Sequence, residues 1–95
     1  MQNGSTPEHP YVSETPGVCG GYPVVRGTRT PVRLLVEAFR ELGEVEATQA
    51  AFPHLTIEQV RGALAYYAAH PARVDADFER HARVLAERQG RQWPG

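Results

Sequence analysis

The residues best suited to chemistry in this chain are its arginines. All ten basic residues of the 95-residue sequence are arginine, and lysine is absent. A guanidinium group presents a planar fork of donors that matches phosphate oxygens and the edge of guanine, although GC-rich codon usage would produce the same bias. Arg26, Arg29 and Arg33 fall in residues 15–36, which carry no carboxylate and a net charge of +3. Residues 37–60 carry −4, so the sequence predicts a basic segment next to an acidic one that would repel DNA.

The single cysteine and the histidines show no spacing typical of a catalytic or metal site. Cys19 has no second cysteine and only His9 nearby in sequence, so we interpret it as a structural thiol rather than a nucleophile. His54 either faces a DNA backbone or packs in a turn, and His81, four residues after Asp77, is interpreted as half of a surface pair. The sequence offers no set of nucleophile, base and orienting group. We therefore expect no enzyme, no cofactor and no metal site.

Composition limits the class of protein. The chain is 41% hydrophobic and 22% charged, with a net charge of −1, which is typical of one soluble globular domain. A lone cysteine excludes an internal disulfide framework, and no apolar run reaches the roughly 20 residues of a membrane span. Residues 1–10 are polar and carry no signal-peptide pattern, so we expect a flexible tail there and a cytoplasmic location.

Two short strands are predicted in the N-terminal third. Five of the 8 prolines and five of the 9 glycines lie within residues 1–31, which excludes a long helix. Tyr11–Ser13 and Val24–Arg26 are aromatic or β-branched, which favours strands. The Gly20-Gly21 pair between them indicates a hairpin.

Four helices are predicted after this hairpin. The first starts at Pro31 with Thr30 as N-cap, has one apolar face, and ends at Gly43. A weaker second helix covers about Val45 to Phe52, and Thr56 with Gln59 forms a capping box that begins the third. The predicted apolar positions are Leu34, Leu35, Ala38, Phe39 and Leu42 in the first helix, Ile57, Val60, Leu64 and Tyr67 in the third, and Val74, Phe78, Ala82 and Leu85 in a fourth helix from about Ala72 to Gln89.

The sequence of residues 16–32 resembles the motif of a known family. The run Gly20-Gly21-Tyr22-Pro23-Val24-Val25-Arg26-Gly27-Thr28-Arg29-Thr30-Pro31-Val32 is similar to GGxPVIxGTRxPV, the hallmark of the domain-of-unknown-function 433 (DUF433) family. Residues 52–56 and 63–67 match later family positions in the same order. The resemblance covers roughly residues 11–71, whereas the last predicted helix, in residues 72–95, lies outside it. The turn at residues 43–48 departs from the family pattern, because it is one residue shorter and lacks the usual early Ser or Thr.

The resemblance implies a mainly α fold, in which a short β-hairpin precedes a homeodomain-like helix-turn-helix unit of three helices. It also implies a dimeric VapB-type antitoxin that neutralises a PIN-like ribonuclease toxin and represses its own operon by binding operator DNA. A stand-alone DNA-binding regulator is the alternative.

Particular residues are expected to carry these activities. In a homeodomain-like helix-turn-helix unit of three helices, the third helix reads DNA. The candidate DNA contacts are Arg26, Arg29, Arg33, Gln59 and Arg61, and the candidate partner contacts are Tyr66, Arg80, Arg83 and Arg88, with Arg91 beyond them. Tyr66 is expected to point away from the core that Tyr67 joins. Arg29 either clamps to Glu37 or to backbone carbonyls, or binds phosphate or an acidic partner.

Overall fold

The computed structural model describes residues 9–92, with side-chain surroundings for residues 9–88. Its elements are strands β1 (Val12–Ser13) and β2 (Val24–Val25) and helices α1 (Val32–Leu42), α2 (Val45–Ala51), α3 (Ile57–Ala69) and α4 (Pro71–Gln92). This mainly helical chain with a short two-stranded sheet confirms the predicted class. Of the described residues, no helix is long and apolar enough to cross a membrane.

The two strands pair where β-branched residues predicted them. They are antiparallel, with Val12 opposite Val25 and Ser13 opposite Val24. A 3-10 turn at Cys19–Gly21 lies between them, and Gly20 has a φ of 69° that favours glycine. All three valines of these strands lie in the core, since Val12, Val24 and Val25 are at most 1% exposed.

The first helix begins one residue later than predicted. Pro31 has extended backbone (φ −65°, ψ 141°) and forms an isolated bridge with Val24, so α1 starts at Val32. Thr30 does not cap it, because no side chain accepts a bond at this N-terminus. The predicted end is confirmed: Gly43 adopts the left-handed conformation (φ 76°), and its N–H bonds the carbonyl of Phe39.

The third helix has the predicted capping box. The Thr56 hydroxyl accepts from the Gln59 N–H at 3.1 Å, and the Gln59 side chain accepts from the Thr56 N–H at 2.7 Å. The buried positions of α3 are Val60, Ala63 and Tyr66, so the expected stripe ending at Tyr67 is partly wrong. Elements pack on several sides of this helix: β1, α1, α2 and α4 all contact it.

A glycine lets β1 lie against α3. A Cβ built on Gly62 would come 2.6 Å from Cγ and 2.8 Å from Cβ of Tyr11, closer than real Cβ atoms approach other atoms. The side chain of a larger residue would therefore displace Tyr11 and the strand that follows it.

The fourth helix belongs to the same core over its first half. Val74 is 1% exposed and joins the cluster that includes Val32, Leu35 and Val60. Phe78 packs at the edge of this cluster. Further along, Leu85 is 42% exposed, so the predicted apolar stripe leaves the protein core after Phe78.

Candidate functional site

The basic loop between β2 and α1 is held by its own threonines. Gly27 has a φ of 82°, a conformation suited to glycine. Thr28 donates its hydroxyl proton to the carbonyl of Val25 at 2.8 Å and accepts from the Thr30 N–H at 3.0 Å. This double contact fixes the backbone of residues 27–30, and with it the direction in which Arg29 leaves the loop.

A hydrogen bond joins this loop to the turn between α2 and α3. The Thr30 hydroxyl lies 2.8 Å from Nε2 of His54, and the ring of Phe52 lies 6.4 Å from the imidazole. His54 stands two residues before the Thr56 cap of α3. We call the exposed residues Arg29 and His54 at this meeting point the loop–turn junction.

Arg29 is exposed at the junction. Its backbone carbonyl accepts a weak hydrogen bond from Sγ of Cys19 at 3.4 Å. Its guanidinium makes no hydrogen bond or ion pair within the described part of the chain, and the expected alternative of a clamp to Glu37 is not formed there. Of the three arginines in the basic segment, only Arg29 uses none of its guanidinium donors on the described residues.

Arg33 is not available to DNA, which corrects the sequence-based expectation. It is only 7% exposed, and its Nε donates to Oδ2 of Asp77 at 3.3 Å. Asp77 is itself 1% exposed and accepts from Arg80 at 2.8 Å through its other oxygen. The idea that Asp77 and His81 form a surface pair is wrong for the same reason. A lone carboxylate three residues after Val74, inside an apolar stripe, was the signal that could have revealed this buried partner.

Arg26 is a structural clamp, although its side chain is exposed. Its guanidinium donates to the carbonyl of His9 at 2.7 and 3.0 Å and to the carbonyl of Val12 at 2.9 Å. These bonds fasten the chain entering β1. Most of its donors therefore serve the fold, and the predicted DNA contact is replaced by a backbone contact.

The two predicted DNA contacts of α3 differ in availability. The Gln59 side chain is used in the capping box and therefore supports the helix start. Arg61 is exposed on the first half of α3, one turn after the exposed Glu58. Arg61, like Arg29, is an exposed arginine with no side-chain hydrogen bond or ion pair among the described residues.

Tyr66 lies in the core, so the expectation that it points outward to a partner is wrong. It is 1% exposed, and its hydroxyl donates to Oε2 of Glu14 at 2.6 Å. Glu14 also pairs with Arg73 at 3.0 Å, and the ring of His70 lies 5.0 Å from the tyrosine ring. Burial and the bond to Glu14 raise the pKa of Tyr66 well above its usual range. Helical periodicity in the sequence does not show which of Tyr66 and Tyr67 is more deeply buried, because other elements pack on both flanks of α3.

Tyr67 lies at the α1–α4 side of the same helix. Its hydroxyl donates to Asp75 at 3.0 Å and accepts from Arg40 at 2.9 Å. The Arg40 guanidinium also lies 5.0 Å from the centre of the Phe78 ring, a cation–π contact. Burial, with a smaller contribution from the bond to Asp75, raises the pKa of Tyr67.

The arginines predicted for partner binding divide along α4. Arg80 is engaged, because it pairs with Asp77 and its guanidinium lies 4.9 Å from the centre of the Tyr22 ring. Arg83 and Arg88 are exposed, and the side chain of Arg91 lies outside the described region. In the described part of the chain, no group of three His, Cys, Asp or Glu residues is placed to hold a metal ion.

Comparison with known proteins identifies the relatives of this chain. Residues 12–67 match the family model described as "Protein of unknown function (DUF433)". The chain belongs to the DUF433 family. The matched range contains both strands, the loop–turn junction and most of α3, whereas α4 lies beyond it.

Two DUF433-type relatives show the extent of the likeness. The chain is 40% identical over 62 residues to the uncharacterized protein y4eO of Sinorhizobium fredii. These 62 residues make up 65% of this chain but only 28% of y4eO. The crystal structure of a DUF433 member protein from Anabaena variabilis is also 40% identical, with a TM-score of 0.59 over 70% of this chain and 66% of the other. The chain thus spans about a quarter of the curated relative.

Proposed function

We propose that this DUF433 protein is the antitoxin of a type II toxin–antitoxin pair, which binds and neutralises a PIN-like ribonuclease and represses its own operon as a DNA-binding homodimer. The observation that carries the DNA-binding part is the loop–turn junction. The bond between Thr30 and His54 holds the loop of Arg29, whose side chain has no partner among the described residues, beside the turn that leads into α3. In this proposal α2 and α3 form a helix-turn-helix, and α3 lies against the major groove.

The few exposed cations favour a dimer. Among the described residues before α4, Arg29 and Arg61 are the only exposed arginines whose side chains make no hydrogen bond or ion pair. Each phosphate contact contributes about −0.9 to the slope of binding against salt. A two-fold pair doubles the contacts and reads two half-sites about one helical turn apart.

The toxin-binding part is supported by the exposed half of α4. Arg83 and Arg88 lie where the helix has left the core. PIN-like ribonucleases gather carboxylates around a metal, and a guanidinium entering such a centre would meet opposite charge. Arg83, exposed on this half of α4, is therefore the residue proposed to enter the nuclease centre.

The first experiment is co-expression of the untagged chain with the tagged product of the neighbouring gene. A complex that elutes together and suppresses nuclease activity supports the antitoxin. Two variants then separate the surfaces and serve as controls for each other. R83Q should weaken toxin binding and leave promoter binding intact, and R29Q/R61Q should do the reverse.

A stand-alone regulator is the second candidate, because the junction needs no toxin to bind DNA. It is favoured if no complex forms with the neighbouring product and the promoter fragment still shifts in a salt-dependent way. In a dimer, R29Q should reduce the magnitude of the salt slope by about 1.8, one contact for each chain. Loss of neither activity in R83Q and R29Q/R61Q would reject both candidates.

A further inference from the structure

Two large apolar side chains stand out on the described surface. Leu42 is 46% exposed at the end of α1, and Leu85 is 42% exposed on the second half of α4. Because both are exposed, Leu42 and Leu85 do not bury each other within one chain. A single exposed apolar side chain is ordinary, whereas an apolar patch rimmed by polar residues indicates a contact surface.

The first surface is a groove along the outer side of α1. Leu34, Ala38 and Leu42 are spaced i, i+4 and i+8, so they form one apolar ridge. Glu37 and Glu41 are exposed and form a parallel ridge beside it. A groove is lined by Leu34, Glu37, Ala38, Arg40 and Glu41, and we call it the acidic groove.

Arg40 also lines this groove and offsets only one of its two carboxylate charges. The Arg40 guanidinium donates to the hydroxyl of Tyr67 at 2.9 Å and lies over the rings of Tyr67 and Phe78. Glu37 and Glu41 form no ion pair with the described residues. Two carboxylates beside an apolar ridge are thus left for a basic, apolar partner.

The second surface has the complementary character. Residues 85–88 of α4 are all exposed. Leu85 and Arg88 are three residues apart and therefore lie on one side of the helix. We call this pair the distal α4 face. Arg83 is two residues from Leu85, about 200° around the helix, and lies on the opposite side.

We infer that the acidic groove of one copy of the chain binds the distal α4 face of a second copy. Leu85 packs on the ridge of Leu34, Ala38 and Leu42, while Arg88 meets Glu37 and Glu41. In a two-fold pair the contact occurs twice, because each copy contributes one groove and one helix. The inference gives the homodimer of the proposed function its surface and rests on the proposed function for that dimer.

Charge reversal tests this pairing with the full-length chain alone, without DNA or toxin. The groove variant is E37R/E41R, and the helix variant is R88E. All three side chains are exposed, so folding should be retained and is checked by circular dichroism. Sedimentation velocity at micromolar concentration measures the dimer dissociation constant. The matched controls are R83E on the far side of α4 and E46R on α2.

The wild type and both controls should dimerise, and each reversed variant should raise the dissociation constant by about tenfold or more. Mixing the two reversed variants should restore dimers, because both contacts then join opposite charges. A monomeric wild type, or a mixture that stays monomeric, overturns the inference. If the wild-type dimer is unaffected by either reversal, this surface is wrong while the dimer of the proposed function stands. If the mixed variants form dimers as expected but toxin or promoter binding fails, the proposed function alone is rejected.

Discussion

Arg33 and Asp77 meet in the protein interior although 44 residues separate them in sequence: Nε of Arg33 lies 3.3 Å from Oδ2 of Asp77. The pair joins α1 to α4, and Arg80 satisfies the second carboxylate oxygen. Both members are almost fully buried, at 7% and 1% exposure. Loss of Asp77 leaves the buried charge of Arg33 without its compensation in a region of low dielectric constant.

Replacing Asp77 should therefore be among the most damaging single changes in the chain. We expect Asp77→Ala to lower the free energy of unfolding by about 3–5 kcal/mol, because Arg33 remains buried and unpaired. Urea unfolding followed by circular dichroism measures the change. Glu79→Ala, at an exposed position two residues away, is the control and should change stability by about 0.5 kcal/mol or less. Equal effects of the two variants would contradict the role given to the pair.

Gly62→Ala should destabilise the protein although alanine is the better helix former. The substitution gains about 1 kcal/mol of helix propensity, but the new Cβ collides with the side chain of Tyr11. We expect a net loss of stability, which thermal unfolding can measure. The double variant Tyr11→Ala/Gly62→Ala should lose less than the sum of the two single variants, because removing the ring relieves part of the collision. Simple additivity would argue against this contact.

Tyr66→Phe tests the hydrogen bond that joins α3 to the segment after β1. The hydroxyl donates to a carboxylate at 2.6 Å, so its removal should cost about 1.5–3 kcal/mol. Glu14 would still be paired with Arg73. Tyr22→Phe is the control, because its hydroxyl makes no hydrogen bond to the described residues while its ring would still lie under Arg80.

The alkaline stability of the same pair of variants gives a second readout. The pKa of Tyr66 is raised by burial and then by Glu14, so the folded state retains the phenolic proton. The protonated Tyr66 hydroxyl makes its full contribution to folding stability below the pKa of an unfolded tyrosine, about 10. This contribution is lost as the pH rises through the pKa of Tyr66 in the folded state. Tyr66→Phe should therefore lose less stability than the wild type above about pH 10. An identical alkaline fall would show that Tyr66 does not titrate in this way.

His9 should make the protein sensitive to acid. Burial, and then the charges of His70 and Arg26, lower the pKa of His9. Its Nδ1 accepts from the N–H of Tyr11 at 3.1 Å, so protonation there removes the acceptor. The stabilisation is present above the unfolded pKa of about 6.5 and is lost as the pH falls through the folded pKa.

His9→Asn keeps an acceptor but does not titrate. Its urea midpoint should fall less than that of the wild type between about pH 7 and about pH 5. His81→Asn is the matched control and should follow the wild type. The same fall in all three proteins would assign the acid sensitivity to other groups.

Local signals predicted much of the fold. The capping box of Thr56 and Gln59, the C-cap at Gly43 and the paired valines of the two strands depend on neighbours close in sequence, and all are confirmed. Helix α2 was expected over Val45 to Phe52 and is observed over Val45–Ala51. Such features depend on φ, side-chain reach and β-branching, which a short window of sequence contains.

The positions that escaped prediction depend on distant partners. Arg33 is exposed or buried according to whether a carboxylate 44 residues away faces it, and Tyr66 is inside because Glu14 and Arg73 surround its hydroxyl. A helical pattern of apolar residues describes one helix at a time and carries no information about its partners. The same limit applied to Arg29, whose lack of a described partner became visible only with the loop and the α2–α3 turn in place.

The pairing of Arg33 with Asp77 also has a consequence for synthesis on the ribosome. The family-matched range ends at residue 67, so a nascent chain of that length would contain Arg33, Glu14 and Tyr66 but neither Asp77 nor Arg73. Its interior would hold a cation without its carboxylate. We therefore expect the growing chain to stay loosely packed until the first three turns of α4 emerge and to close in one late step.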